Sequence, residues 1–257
     1  MRVATWNVNS IRKRQEIVLA WLKRTGPDVL LLQETKVQDD GFPRLLFEAE
    51  GWHLALHGQK GGRNGVAILA RAPIEGVCLG LPGGDADDQA RWIEGTVNGT
   101  RVVSVYVPNG TGVDSPNFPY KLAFFDRMSS HMADLRRTHE RAVVGGDFNV
   151  APEPLDVNDP VGSEGHICFH PDERRRMRAL LNAGWYDAFR SAHPNAKRFS
   201  WWDLRAGSFE RDEGLRIDPL LLTPAALDRL DDAGMDRDER AKRGVSDHVP
   251  VWAALGD

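Results

Sequence analysis

Between residues 55 and 110 strand-like apolar runs follow one another with no helical interval, whereas on either side such runs alternate with amphipathic segments of helical period. Consecutive strands without a crossover pair antiparallel, while strands joined through a helix can pair parallel. A chain that does both needs mixed sheets with helices packed outside them. Strands are expected at Val3–Val8, Val29–Gln33, Gly65–Ala70, Trp92–Val97, Val102–Val107, Ala142–Asp147, Leu215–Leu222 and His248–Ala253. Helices are expected over 10–24, with Ile11, Val18, Leu19 and Leu22 on one face, and over 120–138, with Leu122, Phe125, Met128, Met132 and Leu135. A third opens at Pro171, where Asp172 and Glu173 make an acidic first turn, and closes before Gly184. The fold class is therefore α/β, two mixed β-sheets packed face to face with helices outside. With no repeat, low-complexity tract or linker, 1–257 reads as a single domain.

Composition removes several classes of function. No apolar run approaches the roughly 20 residues that cross a bilayer. Met1-Arg2 leads directly into Val3-Ala4-Thr5-Trp6 without a signal-peptide pattern, so a cytoplasmic protein with no membrane association is expected. Cys78 and Cys168 lie far apart and make neither a disulfide framework nor a metal knuckle. With 33 Lys+Arg against 37 Asp+Glu the formal charge is −4, so a polyanionic partner must be held by local basic patches or bound metal.

Five apolar runs end in carboxylate, amide or imidazole residues: Trp6-Asn7-Val8-Asn9, Leu32-Gln33-Glu34-Thr35, Tyr106-Val107-Pro108-Asn109, Gly146-Asp147-Phe148-Asn149 and Ser246-Asp247-His248. Asn7 with Asn9, and Asp147 with Asn149, are two apart and project from one face of their strands, leaving Trp6, Val8 and Phe148 to face the core. Asn and Asp commonly end strands in Asx-turns, which explains any one of these sites. A sixth group, Arg216-Ile217-Asp218, puts charges inside an apolar strand, where they need a partner or a metal.

Glu34, Asp147, Asp218 and Asp247 are carboxylates, Asn7, Asn9, Asn109 and Asn149 neutral amides, and His248 an imidazole. Hard oxygen donors without cysteine suit Mg²⁺ or Mn²⁺ rather than zinc, and His166 and His170 near Cys168 lack a fourth ligand for zinc. Amides and imidazole can hydrogen-bond a pentavalent phosphorane without adding negative charge. A carboxylate beside His248 would orient its ring and favour the protonated form, with Asp218 the candidate partner. There is neither a Gly-x-Ser-x-Gly elbow nor a Gly-x-x-x-x-Gly-Lys-[Ser/Thr] loop, so attack by activated water is the simpler chemistry.

These residues, with Gly65-Val66-Ala67 and Phe199-Ser200-Trp201-Trp202-Asp203, occur in an order that resembles the exonuclease III branch of the endonuclease/exonuclease/phosphatase superfamily, the apurinic/apyrimidinic (AP) endonucleases of base-excision repair. The resemblance runs nearly end to end and implies a four-layered, DNase I-like α/β sandwich. It implies an Mg²⁺-dependent phosphodiesterase, with Mn²⁺ a substitute, that hydrolyses the backbone 5′ to abasic sites and has 3′–5′ exonuclease and 3′-end-cleaning activity. Carried over residue by residue, it makes Glu34 the principal metal carboxylate, with Asn7, Asn9 and Asp247 close to the ion. It makes Asp147 the group that orients and deprotonates water, with Asn149 beside it, and gives the phosphate to Tyr106, Asn109 and His248 paired with Asp218. Some members of the superfamily are described with histidine as the base, and this alternative stays open. Related members act on RNA, inositol phosphates or lipid headgroups, and a catalytically silent DNA-binding module is a further alternative. Ser10 stands where relatives commonly have glycine, Leu204 where tyrosine is frequent, and Pro219 after Asp218 suggests an edge or bulged strand.

The implied partner is double-stranded DNA with abasic sites or blocked 3′ ends, met by a monomer with no obligate protein partner. Trp201, Leu215 and Ile217 are implied to line a pocket for an extruded abasic sugar, which costs less to flip than an intact nucleotide. Lys60 and Arg63, in the loop Lys60-Gly61-Gly62-Arg63-Asn64, are placed to neutralise strand phosphates, whereas Arg136-Arg137 and Arg174–Arg176 fall on helices as solvated charge. Gly145-Gly146 reads as close backbone packing rather than a phosphate cradle.

Overall fold

The computed structural model describes residues 1–84, 87–205 and 207–256. One sheet runs edge to edge as Leu230–Met235, Val251–Leu255, Arg2–Asn7, Val29–Gln33, Val66–Ala70 and His53–His57. The other runs as Glu75–Leu79, Trp92–Val97, Thr100–Tyr106, Ala142–Asp147, Leu220–Leu222 and Tyr186–Asp187. Each contains a central parallel pair, Arg2–Asn7 beside Val29–Gln33 and Thr100–Tyr106 beside Ala142–Asp147. Each pair is joined by a long helix, Ile11–Thr25 and Asn117–Thr138 respectively, which is the crossover that parallel strands require. The stretch around 55–110 is antiparallel, as its unbroken run of strands predicts.

Side-chain alternation sorts each strand into two faces. Val3, Val29, Leu31 and Ile68 meet Ile93, Val102, Val143 and Leu220 in a core between the sheets. Ala4, Trp6, Leu30 and Leu32 turn outward onto Val18, Trp21 and Leu22 of the first helix. Val103, Val105, Val144 and Phe148 turn outward onto Phe125, Met128 and Met132, and onto Met177 and Leu180 of the helix Pro171–Asn182. The result is four layers, helix, sheet, sheet, helix. A Cβ on Gly146 would lie 1.8 Å from the Val105 carbonyl oxygen, and one on Gly145 would lie 2.5 Å from Leu220, so both glycines serve close packing.

Two expected strands are corrected. Leu215–Leu222 is interrupted: Gly214–Leu215 pairs with Trp201–Trp202 in a small ribbon, and Leu220–Leu222 joins the second sheet. Arg216–Pro219 between them is not strand, consistent with the missing amide donor of Pro219. His248–Ala253 starts late, at Val251 after Pro250, for the same reason. Edge strands Glu75–Leu79 and Leu230–Met235 carry glycine and acidic residues, which blunt the apolar signal of a strand. Among the described residues no helix is long and apolar enough to cross a membrane.

Candidate active site

Counting by twos from the inter-sheet residues Val3 and Val143 leads to Asn7 and Asp147, so both face the gap between the sheets at the C-terminal ends of their strands. There the sheets are joined by polar groups: Asn7 Nδ2 donates to Glu34 Oε1 and to Asp147 Oδ2, both at 2.9 Å. Below them Gln33 Nε2 donates to Ser104 Oγ at 2.9 Å and to Thr5 Oγ1 at 3.0 Å, a buried polar floor under the cluster. The loops that leave these strands are strained: Asn9, Ser10, Glu34, Lys36 and Asn149 all have positive φ without being glycine.

His248 Nδ1 is bound to Asp218, and its Nε2 points toward Asp147 Oδ2 at 3.7 Å. Ser200 Oγ donates to Asp218 Oδ2 at 2.6 Å and accepts from the amide of Ile217 at 3.0 Å, fixing that carboxylate from behind. Burial acts against a charged His248, but Asp218 and then Asp147 outweigh it and push its pKa up to about 10. Burial pushes Asp147 up to about 7 against the opposing pull of His248. Asp247 resists its own burial and is held below the usual carboxylate range by His248, Asn9 Nδ2 and Trp201 Nε1. Burial, reinforced by Glu34 and Asp147, raises the Tyr106 phenol, so it remains a donor.

On the neighbouring side Asn109 Nδ2 donates to Asn149 Oδ1 at 2.8 Å, and Asn149 Nδ2 donates to the Val107 carbonyl at 3.0 Å. A cavity of 280 Å³ opens beside them, lined by Arg63, Asn64, Arg91, Tyr106, Asn109 and Tyr120, with the Arg91 guanidinium over the Tyr106 ring. Trp201 and Leu215, half-buried, pack against a core cluster of Ile217, Ala151, Val157 and Phe169 that is itself buried, so Ile217 backs the surface rather than lining it; Trp201 Nε1 donates to Asp247 Oδ2 at 3.0 Å.

The donor set fits a hard divalent cation. Lys36 Nζ, itself a cation, lies 2.5 Å from Glu34 Oε2 and 2.7 Å from Asn9 Oδ1, so these oxygens already attract positive charge. Asp147, Asp218 and His248 also offer ligand atoms within 4.8 Å of one another. With Nδ1 engaged by Asp218 and the ring favouring its protonated form, however, His248 is a poorer ligand than the carboxylates.

The structure thus links Asn7, Glu34, Asp147, Asp218 and His248 through direct side-chain contacts, ties in Asn9 and Asp247 through Lys36, joins Asn109 to Asn149, and sets Tyr106 and Trp201 against the same cluster. Arg63 lines the adjoining cavity, while Lys60 is not among its lining residues. Arg174 and Arg176 are ion-paired with Glu164 and Asp126 rather than free solvated charge. Lys36, Ser200 and Lys121 were not singled out by the sequence, although Lys121 stands on the apolar face of its helix with Phe118, Phe125 and Met128, an anomaly that periodicity reveals.

Comparison with known proteins agrees with this geometry. The profile of the Endonuclease/Exonuclease/phosphatase family matches residues 4–248. The chain is 33% identical to "Exodeoxyribonuclease III" of Haemophilus influenzae, over 98% of this chain and 99% of that protein. A solved structure of the 3′ phosphatase NExo from Neisseria, bound to a product DNA hairpin, superimposes with a TM-score of 0.98 at 39% identity over 100% of both chains. An AP endonuclease from Archaeoglobus fulgidus superimposes with a TM-score of 0.94 at 40% identity over 99% of both.

Proposed function

The chain belongs to the endonuclease/exonuclease/phosphatase family, and from that premise we propose that it is a DNA-repair hydrolase of the exonuclease III type, cutting the backbone 5′ to abasic sites and clearing blocked 3′ ends. The relatives named exodeoxyribonuclease III, AP endonuclease and 3′ phosphatase support the substrate class. The observation that carries the chemistry is the double hydrogen bond of Asn7 to Glu34 and Asp147, which brings one sheet's carboxylate ligand beside the other sheet's candidate base. Magnesium, or manganese in its place, held by Glu34 with Asn7, Asn9 and Asp247 nearby, would offset the negative charge that builds on the phosphate.

The protein's own residues divide the remaining work. Asp147, pushed up to about 7, is matched to taking a proton from the attacking water near neutral pH. His248 stays protonated, so it serves as a cationic grip on the scissile phosphate and not as the base. Tyr106 and Asn109 add neutral donors, and Asn149 holds Asn109 in place through their shared hydrogen bond. Half-buried Trp201 and Leu215, backed by buried Ile217, would offer an apolar bed for a sugar without a base, and Arg63 and Arg91 of the adjoining cavity would meet strand phosphate. We read the protein as a cytoplasmic monomer, since a single lesion requires one site.

The test is cleavage of duplex DNA carrying one tetrahydrofuran abasic analogue, and of a duplex ending in a 3′-phosphate, with Mg²⁺ or EDTA and with wild type or Asp147→Asn. Metal-dependent incision or end release, lowered by orders of magnitude in the variant, is expected. Intact DNA with efficient cleavage of RNA or an inositol phosphate would transfer the chemistry to another substrate. Binding without cleavage would identify a silent module.

A further inference from the structure

Lys121 and Glu173 are both 0% exposed and hold no role in the chemistry above. A lysine is almost never fully buried unless paired. Its ammonium donates to the main-chain carbonyls of Asn109 at 3.0 Å and Asn149 at 2.8 Å, and its charge is paired with the carboxylate of Glu173. Glu173 Oε2 accepts in turn from the His170 amide at 3.0 Å, which ties in the start of the helix Pro171–Asn182. The two carbonyls belong to separate loops, one following Thr100–Tyr106 and the other following Ala142–Asp147. They are the very residues whose amides meet at 2.8 Å, and Asn149 sits at φ +52°, a conformation that persists only when its surroundings over-determine it.

A buried ion pair gives little net stability over apolar packing of similar volume. Stability alone therefore does not account for a charge here, whereas a three-way tie between two loops and a helix is something no apolar side chain supplies. We propose that Lys121, held by Glu173, is a positioning residue that locks the Asn109 and Asn149 loops together and so lets Asn149 hold the Asn109 amide toward the substrate phosphate. This rests on the phosphate-gripping role given to Asn109 above, and it adds the device that sets that grip.

The experiment compares wild type, Lys121→Met and the double variant Lys121→Met/Glu173→Gln. The single variant strands the Glu173 charge and should lose thermal stability, while the double variant, with neither charge, should recover most of it. If Lys121 only stabilised the fold, activity would recover with Tm. If it positions, the recovered double variant keeps a kcat lowered by about 100-fold, the scale at which a 1 Å misplacement is felt, with KM for the DNA changed less than about threefold. The side-chain amide resonances of Asn109 and Asn149 in labelled protein without DNA should also shift or broaden in both variants. Unchanged amide signals, or kcat restored together with Tm, overturns the proposal. Absence of cleavage by wild type would instead refute the repair reading, and the resonances would still test the tie.

Discussion

The imidazole Nδ1 of His248 lies 3.0 Å from each of the two oxygens of Asp218, so the ring is gripped symmetrically and its other nitrogen is aimed at Asp147. That grip is the main reason the imidazolium survives its own burial. With Asp147 at about 7 and His248 at about 10, kcat/KM should rise with pH through about 7, as Asp147 loses its proton, and fall through about 10, as His248 loses its own. Asp218→Asn removes the largest raising influence, so the descending limb should move to lower pH. Stability follows the same sign: a raised histidine stabilises the fold fully below about 6.5 and ceases to do so as pH passes about 10. A descending limb that stays in place in the variant would show that His248 is not the group being titrated.

Lys36 and Glu34 make the second prediction. The ammonium competes with any metal ion for Glu34 Oε2 and Asn9 Oδ1. Glu34→Gln should weaken Mg²⁺ binding at least about tenfold, the lower end of the effect of losing groups that support a metal site. Lys36→Met should tighten binding, because a like charge a few ångströms from the ion is gone. Calorimetric titration of Mg²⁺ into each variant measures both. A Glu34→Gln protein with the wild-type dissociation constant would move the metal elsewhere.

Much of this was legible in the sequence because strands have period two. Asn7 and Asp147 could be placed opposite Trp6 and Phe148 from spacing alone, but Asn9 and Asn149, expected on the same faces, lie beyond the strand ends at φ +44° and +52°, where period two no longer applies. That Asn7 would touch Asp147, 140 residues away, is a product of two sheets facing each other, and local periodicity carries no such information. The partner of Asp218 from behind, Ser200, was hidden for the same reason; Pro219 marks an irregularity in Leu215–Leu222, but as a break before Leu220–Leu222, which lies inside its sheet and not at the edge. Lys60 and Arg63 looked equivalent in a glycine-rich loop, and only the fold separates the one that lines the cavity.

Arg216, adjoining Ile217 and Asp218, tests the frame beneath the site. Its guanidinium donates at 2.6 Å to Asp156 and at 2.6 Å to Asp187, and it is 2% exposed. Arg216→Met leaves two buried carboxylates short of a partner: the Arg190 guanidinium still reaches Asp156 at 2.6 Å, while Asp187 keeps only the Arg190 main-chain amide, at 3.1 Å. Loss of one member of a buried pair costs about 3–5 kcal/mol, so chemical denaturation should show a drop of that order. A loss below about 1 kcal/mol would mean that water enters and solvates the two acids.

Ser10 predicts a change of the opposite sign. Its φ is +92° at the residue preceding the helix Ile11–Thr25, and its hydroxyl makes no capping hydrogen bond; its amide donates to the Glu34 carbonyl at 2.7 Å, a bond that any residue with an N–H can keep. A side chain in this region stores about 1–3 kcal/mol of strain, of which glycine returns about 0.5–1 kcal/mol through its greater freedom when unfolded. Ser10→Gly should therefore raise stability by about 1 kcal/mol in denaturant titration, with kcat within about twofold of wild type because no reacting group has been moved. A destabilised Ser10→Gly protein would mean that the hydroxyl or the stiffer serine backbone holds the Asn9 and Glu34 loops together, making the strain part of the site rather than a cost borne beside it.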